Sequence, residues 1–202
     1  MIKDITVGNQ TVLDIYSKTE TLDLSGGQSL RSRGFDPEIY DLACQSSTSD
    51  WYLENKLDNQ DTGFKIEHSS NILIGETAGG QYFLDSLRDL LMFDHYYTSG
   101  YVPHGFVGWH SDGDIGGWYL MITYSPKGNG FFKYRDIDSG KIVTLPDSTG
   151  WMTRTVELPT DPDRMFWHCA AAPSNRYTFL LLFNDLDKFN RAASIVQGDQ
   201  HG

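Results

Sequence analysis

From Gly100 onward the chain is a succession of short apolar runs separated by glycine, proline, aspartate, asparagine and serine. Seven of these runs have the length and composition of strands, and no run of helical length lies between them. They are FVGWH, GWYLMITYS, GFFKYRD, KIVTLPD, WMTRTVEL, RMFWHCA and RYTFLLLFN. This spacing is typical of an antiparallel sandwich or barrel, and the segments SPKGNG and PSN predict hairpin turns.

The first half of the chain has a different pattern, with apolar residues at helical spacing in two places. FDPEIYDLACQSS, residues 35–47, has Asp36 as a candidate N-cap and Pro37 at the first helical position. GQYFLDSLRDLLMFDHYYTSG, residues 80–100, predicts an amphipathic helix that Gly100 ends. A short, frayed helix is expected in residues 191–202.

These patterns predict one mostly β domain over all 202 residues, a length sufficient to bury a sizeable core. Residues 1–96 supply flanking helices and supporting strands, residues 97–184 form the core sandwich or barrel, and residues 185–202 form a C-terminal tail.

The net charge of −11 argues against partners that carry many phosphates, because nucleic acids and anionic lipids would be repelled. The first residues lack the apolar run of a signal peptide, and no stretch approaches the apolar length of a membrane span. We therefore expect a soluble, cytoplasmic protein without a membrane or nucleic-acid partner.

Candidate chemistry is concentrated in the strand-rich half. His110 and Asp112 are two residues apart, so on a strand they share one face. Downstream, His168 is expected to end one strand, and the next begins with Arg176 and Thr178, again on one face. A hairpin at PSN would place His168 and Arg176 on neighbouring antiparallel strands.

Two imidazoles and a carboxylate on one face of a β cavity suit non-haem Fe(II), with open positions for a chelating cosubstrate and O2. Zinc is the alternative for such a ligand set. Arg176 favours iron with a dicarboxylate, because a buried guanidinium matches a carboxylate and the hydroxyl of Thr178 can add a hydrogen bond.

The order H-x-D, several strands, H and then R-x-T resembles the Fe(II)/2-oxoglutarate-dependent dioxygenases. YVPHGFVGWHSDGDIGGWYLMITYSP, residues 101–126, further resembles their prolyl-4-hydroxylase-like branch. The likeness covers residues 97–184 and implies a double-stranded β-helix, a jelly-roll related to cupins, with helices packed outside it. The interval from the second histidine to the basic residue is shorter here than is common in that branch.

The resemblance also implies roles for individual residues. The metal ligands and catalytic centre would be His110, Asp112 and His168. Arg176 would bind the distal carboxylate of 2-oxoglutarate, and Thr178, Tyr124 and Tyr101 are further candidates for that pocket. Such enzymes hydroxylate an unactivated C–H bond of a peptidyl, amino-acid or small-molecule substrate, with succinate and CO2 as co-products.

Two other functions remain open at this point. One is a non-catalytic jelly-roll module that binds a metal or a sugar, although such a pocket has no need of a buried cation beside its metal. The other is a nucleic-acid-modifying oxygenase of the same superfamily, which would require a basic groove that the charge of the chain disfavours.

Overall fold

The computed structural model of the chain describes residues 2–21, 24, 29–32, 69–72, 77–111, 116–159, 161 and 164–199. Within these ranges the helices are α1 (Gln10–Glu20), α2 (Ala78–Leu91) and α3 (Leu186–Gln197). The strands are β1 (Ile2–Ile5), β2 (Ser29–Ser32), β3 (Ser69–Ile72), β4 (His95–Tyr101), β5 (Gly105–His110), β6 (Gly117–Ser125), β7 (Phe131–Arg135), β8 (Ile142–Pro146), β9 (Gly150–Leu158), β10 (His168–Ala172) and β11 (Arg176–Phe183).

The eight strands from β4 to β11 form a double-stranded β-helix. One sheet has the order β9-β6-β11-β4, with β1 added beside β9, and the other has the order β5-β10-β7-β8. Strand β3 pairs with both β4 and β5 and so joins the two sheets along one edge, and β2 pairs with β3. All of these pairings are antiparallel. Except for the β7–β8 hairpin, consecutive strands alternate between the sheets, so the predicted fold class is confirmed.

Two predicted hairpins are wrong because of this alternation. The turn at PSN connects β10 to β11, but β10 pairs with β5 and β7, whereas β11 pairs with β4 and β6. SPKGNG likewise carries the chain from β6 in one sheet to β7 in the other. A turn sequence predicts that the chain reverses, but it does not determine whether the next strand pairs with the previous one or crosses to the opposite sheet.

Residues along β11 alternate between two cores, as the two-residue period predicts. The face toward the helices carries Tyr177, Phe179, Leu181 and Phe183. The opposite face contributes Leu180 and Leu182 to the core between the sheets, which we call the barrel interior. Other residues of the barrel interior are Tyr101, Val107, Tyr119, Met121, Phe132, Tyr134, Val156, Phe166 and Ala170.

Helix α2 confirms the helix predicted in residues 80–100 but is shorter. Thr77 caps its N-terminus by accepting a hydrogen bond from the backbone N–H of Gly80. It ends at Leu91, followed by Met92 in the left-handed conformation. Residues 95–101 instead form β4, whose tyrosine-rich sequence pairs along β11.

Helix α1 was not predicted, although Asn9 caps it and residues Val12, Ile15, Tyr16 and Thr19 form its buried stripe. The helix predicted at residues 35–47 lies outside the described residues. The predicted tail helix is present as α3 but begins earlier, at Leu186 after the Asp185 N-cap, and ends before Gly198. Among the described residues, no helix has both the length and the apolar character needed to cross a membrane.

Candidate metal and cosubstrate site

His110 and His168 lie opposite each other in the pairing of β5 with β10. His110 is the last residue of β5 and His168 is the first residue of β10, not the end of its strand as predicted. Their ring centroids are 4.1 Å apart, and their exposed fractions are 8% and 9%. The structure therefore brings together two histidines that are far apart in the sequence.

A β-bulge allows this pairing. Ala170 pairs with Val107 and His168 pairs with His110, so β5 uses three residue steps where β10 uses two. Val107 faces the barrel interior, and strict alternation would turn a residue three steps later to the other face. The extra residue compensates for this odd spacing, so the ring of His110 meets that of His168.

The ring of His168 is held by its surroundings. Its Nδ1 lies 3.1 Å from the carbonyl oxygen of Phe166, and because a carbonyl only accepts, Nδ1 is the donor. This leaves Nε2 as the nitrogen with a lone pair for a metal. The rings of Phe132 and Phe166 stack on the imidazole at centroid distances of 5.4 and 5.3 Å.

The third predicted ligand, Asp112, lies outside the described residues. In the part of the chain that is described, no three histidine, cysteine, aspartate or glutamate side chains are grouped so that they could hold a metal. Two adjacent imidazoles, one with its orientation fixed, fit two positions of the expected ligand set. His110 and His168 are thus the described candidates for metal ligands, and Asp112 stays a prediction.

Arg176 begins β11 and is fully buried. Its Nε donates to Oδ2 of Asp147 at 2.8 Å, and its Nη1 donates to the hydroxyl of Thr178 at 2.7 Å. Its Cζ lies 5.2 Å from the centre of the Tyr101 ring. The remaining nitrogen, Nη2, is buried and has no hydrogen-bond partner within the described residues.

Three of the predicted cosubstrate residues therefore lie together, since Arg176 contacts both Thr178 and Tyr101. Tyr101 is buried in the barrel interior. Burial raises the pKa of the Tyr101 hydroxyl above its usual value, although the charge of Arg176 acts in the opposite direction. The hydroxyl is therefore protonated at neutral pH and can donate a hydrogen bond.

The structure does not bring the fourth predicted cosubstrate residue, Tyr124, together with these three. On β6, Thr123 faces the barrel interior, because its hydroxyl lies 3.3 Å from that of Thr178. Tyr124 is the next residue and faces the helices, where its ring stacks on those of Trp151 and Tyr177 at 4.9 and 6.3 Å. Thr123 is the residue of β6 that reaches the group around Arg176.

Asp147, which follows β8, was missed by the sequence analysis. Its side chain is fully buried against Arg176, and its backbone N–H donates to the carbonyl of Gly130. A buried arginine requires a compensating charge, so a buried acid could have been expected. Nothing in the sequence distinguishes Asp147 from the many other acidic residues of the chain.

No family model matches the sequence, and no curated protein matches it. Among solved structures, a prolyl-4-hydroxylase from Pseudomonas putida is similar at 13% identity and a TM-score of 0.36, over 89% of this chain and 97% of that one. A 2OG-Fe(II) oxygenase family oxidoreductase from Burkholderia pseudomallei is similar at 10% identity and a TM-score of 0.34, over 88% and 93% of the two chains.

A predicted oxalate decarboxylase from Thermotoga maritima is similar at 13% identity and a TM-score of 0.31, over 57% of this chain and 80% of that one. Similarities at these levels establish neither a family nor an activity. The fold assignment rests on the strand order of the chain itself.

Proposed function

We propose that the chain is an Fe(II)- and 2-oxoglutarate-dependent dioxygenase that hydroxylates an unactivated C–H bond of a peptidyl, amino-acid or small-molecule substrate. In the balanced reaction, 2-oxoglutarate, O2 and R–H give succinate, CO2 and R–OH. One oxygen atom enters succinate and the other enters the new hydroxyl group.

The observation that carries this proposal is the placement of an imidazole pair and a buried guanidinium at the two ends of β10. His168 begins this strand, and Arg176 follows the turn after its last residue, Ala172. Four residue steps separate His168 from Ala172, about 13 Å at about 3.3 Å per residue. The side chain of Arg176 can turn back along this length, because it bonds to Thr178, the third residue of β11. A dicarboxylate could therefore lie along this stretch, with one end at a metal and the other at the arginine.

In this proposal His110, His168 and Asp112 would hold the iron, which, with the cosubstrate and O2, supplies the oxidising power for C–H hydroxylation. The hydrogen bond from His168 Nδ1 to the Phe166 carbonyl fixes the ring that presents Nε2. The stacked rings of Phe132 and Phe166 exclude water from the same side of His168.

At the other end, the charge of Arg176 and the hydroxyls of Thr178 and Thr123 would orient the distal carboxylate. Tyr101, whose ring lies beside the guanidinium, would be a further donor through its protonated hydroxyl. These groups lie on β-strands, so the cosubstrate would be held in one position relative to the histidine pair.

The proposal is tested under anaerobic conditions by adding Fe(II) and 2-oxoglutarate to the full chain. We expect a weak visible charge-transfer band from the chelate. Arg176→Ala should weaken 2-oxoglutarate binding without changing metal binding, whereas Arg164→Ala, which removes an exposed arginine paired with Asp138, should change neither. Absence of the band at saturating 2-oxoglutarate would contradict the proposal.

Turnover is then measured as substrate-stimulated succinate release, with amino acids, prolyl peptides and nucleosides as the panel. Stimulation by an amino acid or a peptide is the expected result. Metal binding without succinate release under any condition would instead favour the non-catalytic jelly-roll module.

A further inference from the structure

Arg176 is restrained by three different groups. Asp147 accepts from Nε, Thr178 accepts from Nη1, and the Tyr101 ring lies beside the guanidinium carbon. Neither Arg176 nor Asp147 has exposed side-chain surface, so the pair cannot separate into solvent. The guanidinium therefore keeps one orientation, with Nη1 turned along β11 toward Thr178.

Asp147 is itself restrained by the start of β7. Its backbone N–H donates to the carbonyl of Gly130 at 2.9 Å. A methyl group at Gly130 would overlap Oδ2 of Asp147 and would lie 3.1 Å from the carbonyl oxygen of Ala171. The missing side chain at Gly130 thus provides the space in which the carboxylate of Asp147 sits.

The contact between the two charges is single, not bidentate. Only Oδ2 of Asp147 bonds to the guanidinium, through Nε, while Oδ1 of Asp147 and Nη2 of Arg176 have no partner within the described residues. A guanidinium can bind a carboxylate either on the side that carries Nε or at the end that carries Nη1 and Nη2. Asp147 occupies the Nε side, so only the Nη1–Nη2 end is left for a second carboxylate.

Asp147 also changes the charge that a ligand meets. Because the two side chains form a compensated ion pair, an incoming carboxylate is held by directed hydrogen bonds more than by net charge. A ligand carboxylate at the Nη1–Nη2 end would place two anions, itself and Asp147, on the single cation Arg176. Asp147 therefore moderates the binding of an anion that it also helps to orient.

We propose that Asp147 is a positioning residue, which reserves the Nη1–Nη2 end of Arg176 for the distal carboxylate of 2-oxoglutarate and limits how tightly that carboxylate is held. This inference rests on the proposed function. Gly130 belongs to the same arrangement, because it fixes where the carboxylate of Asp147 lies.

The test compares variants of the full chain loaded with Mn(II), with 2-oxoglutarate titrated by calorimetry and its effect on the melting temperature recorded. Asp147→Asn keeps an acceptor for Nε and removes the opposing charge, so we expect 2-oxoglutarate to bind several-fold more tightly and to raise the melting temperature more than in the wild type. Asp147→Ala also removes the acceptor, so its binding should be about tenfold weaker than that of Asp147→Asn.

Gly130→Ala provides a variant in which all charges are retained. The added methyl displaces the carboxylate of Asp147, and we expect weaker 2-oxoglutarate binding than in the wild type. Asp138→Asn is the matched control, because it neutralises an aspartate whose ion pair with Arg164 is exposed; it should leave binding unchanged.

Pyruvate distinguishes positioning from general disruption of the fold. It has the 2-oxo acid group but lacks the distal carboxylate, so its affinity should be the same in all of these proteins. Equal changes for pyruvate and 2-oxoglutarate, or unchanged 2-oxoglutarate binding in both Asp147→Asn and Gly130→Ala, would overturn this inference alone. Failure of the wild type to bind 2-oxoglutarate would overturn the proposed function and this inference with it.

Discussion

His110 and His168 face each other directly across the pairing of β5 with β10, with ring centroids 4.1 Å apart. This contact depends on the extra residue in β5, which turns His110 to the face that carries Val107. A bulge that redirects one side chain at the end of a strand is typical of functional sites. The most direct predictions therefore concern these two residues.

Replacing either histidine by alanine should remove metal binding. Loss of a group that only orients a ligand costs about 10- to 100-fold in affinity, so loss of a ligand itself should cost more than about 100-fold. Calorimetric titration with Mn(II) or Co(II) measures this change. The control is His104→Asn, because His104 lies in the turn between β4 and β5, at the other end of β5, and asparagine tolerates its φ of 64°.

Both histidine variants should keep the fold. Each imidazole lies at the end of a strand, so alanine there leaves the pairing of β5 with β10 in place. We therefore expect the urea unfolding midpoint to be nearly unchanged in His110→Ala and modestly lower in His168→Ala, which also loses the stacking on Phe132 and Phe166. A large loss of stability in both would identify the pair as a structural part of the core.

The second prediction compares residues on the two faces of the sheet that contains β6 and β11. Thr178→Val removes an acceptor of Arg176 inside the barrel, and we expect 2-oxoglutarate affinity to fall about tenfold, the effect of one hydrogen bond to a charged group. Tyr124→Phe should leave that affinity unchanged, since Tyr124 stacks on Trp151 beneath the helices. Titration of 2-oxoglutarate into both variants decides between the structure and the sequence-based role of Tyr124.

The contrast between Thr178 and Tyr124 also shows how far the sequence predicts the site. Within one strand, the two-residue period fixes which residues share a face, and on this basis Arg176 and Thr178 were assigned together correctly. No such period relates Tyr124 on β6 to Arg176 on β11. The register between the strands, which pairs Tyr124 with Tyr177, comes from the packing of the sheet.

Other features depended on long-range structure in the same way. The H-x-D spacing predicted a ligand pair, but only the bulge in β5 brings His110 to His168. Asp147 carries no local signal, because its burial follows from contacts with Gly130 and Arg176. Helix α1, in contrast, carries its N-cap and its apolar stripe locally in the sequence, so its position does not depend on long-range contacts.

The third prediction concerns the contact between the N-terminal segment and the end of α3. Gly198 has a φ of 82°, and a methyl group there would lie 2.8 Å from the carbonyl carbon of Gly8. Gly198→Ala therefore combines backbone strain with steric overlap between the added methyl group and the backbone of Gly8. Gly140→Ala has comparable strain, at a φ of 69°, but would meet only the Arg135 side chain, at 3.6 Å.

Gly140→Ala should lower the free energy of unfolding by about 1–2 kcal/mol, the cost of the left-handed conformation. Gly198→Ala should cost about 1–3 kcal/mol more, because the overlap involves backbone that cannot move aside cheaply. Urea denaturation of both variants gives the comparison. Equal losses would mean that the close approach of Gly8 to Gly198 contributes nothing to stability.

The last prediction concerns alkaline pH. Tyr16 lies on the buried face of α1, and its hydroxyl lies 2.8 Å from that of Thr153. Burial raises the pKa of Tyr16 far above its usual value of about 10, and this outweighs the hydrogen bond to Thr153, which acts in the opposite direction. The folded protein therefore keeps this proton at a pH at which the unfolded chain releases it.

The sign of the effect follows from proton linkage. Below a pH of about 10, Tyr16 is neutral in both the folded and the unfolded protein, so it contributes no pH dependence to stability. Above that pH the unfolded chain releases the proton, and the free energy of unfolding falls by up to about 1.4 kcal/mol per pH unit. Tyr16→Phe should lower the free energy of unfolding by about 1 kcal/mol at pH 8, because Thr153 loses its partner. It should also flatten the decline in stability between pH 9.5 and 11, roughly the range around the tyrosine pKa of the unfolded chain. Urea unfolding across that range tests this, and an equally steep decline in Tyr16→Phe would show that other groups control alkaline unfolding.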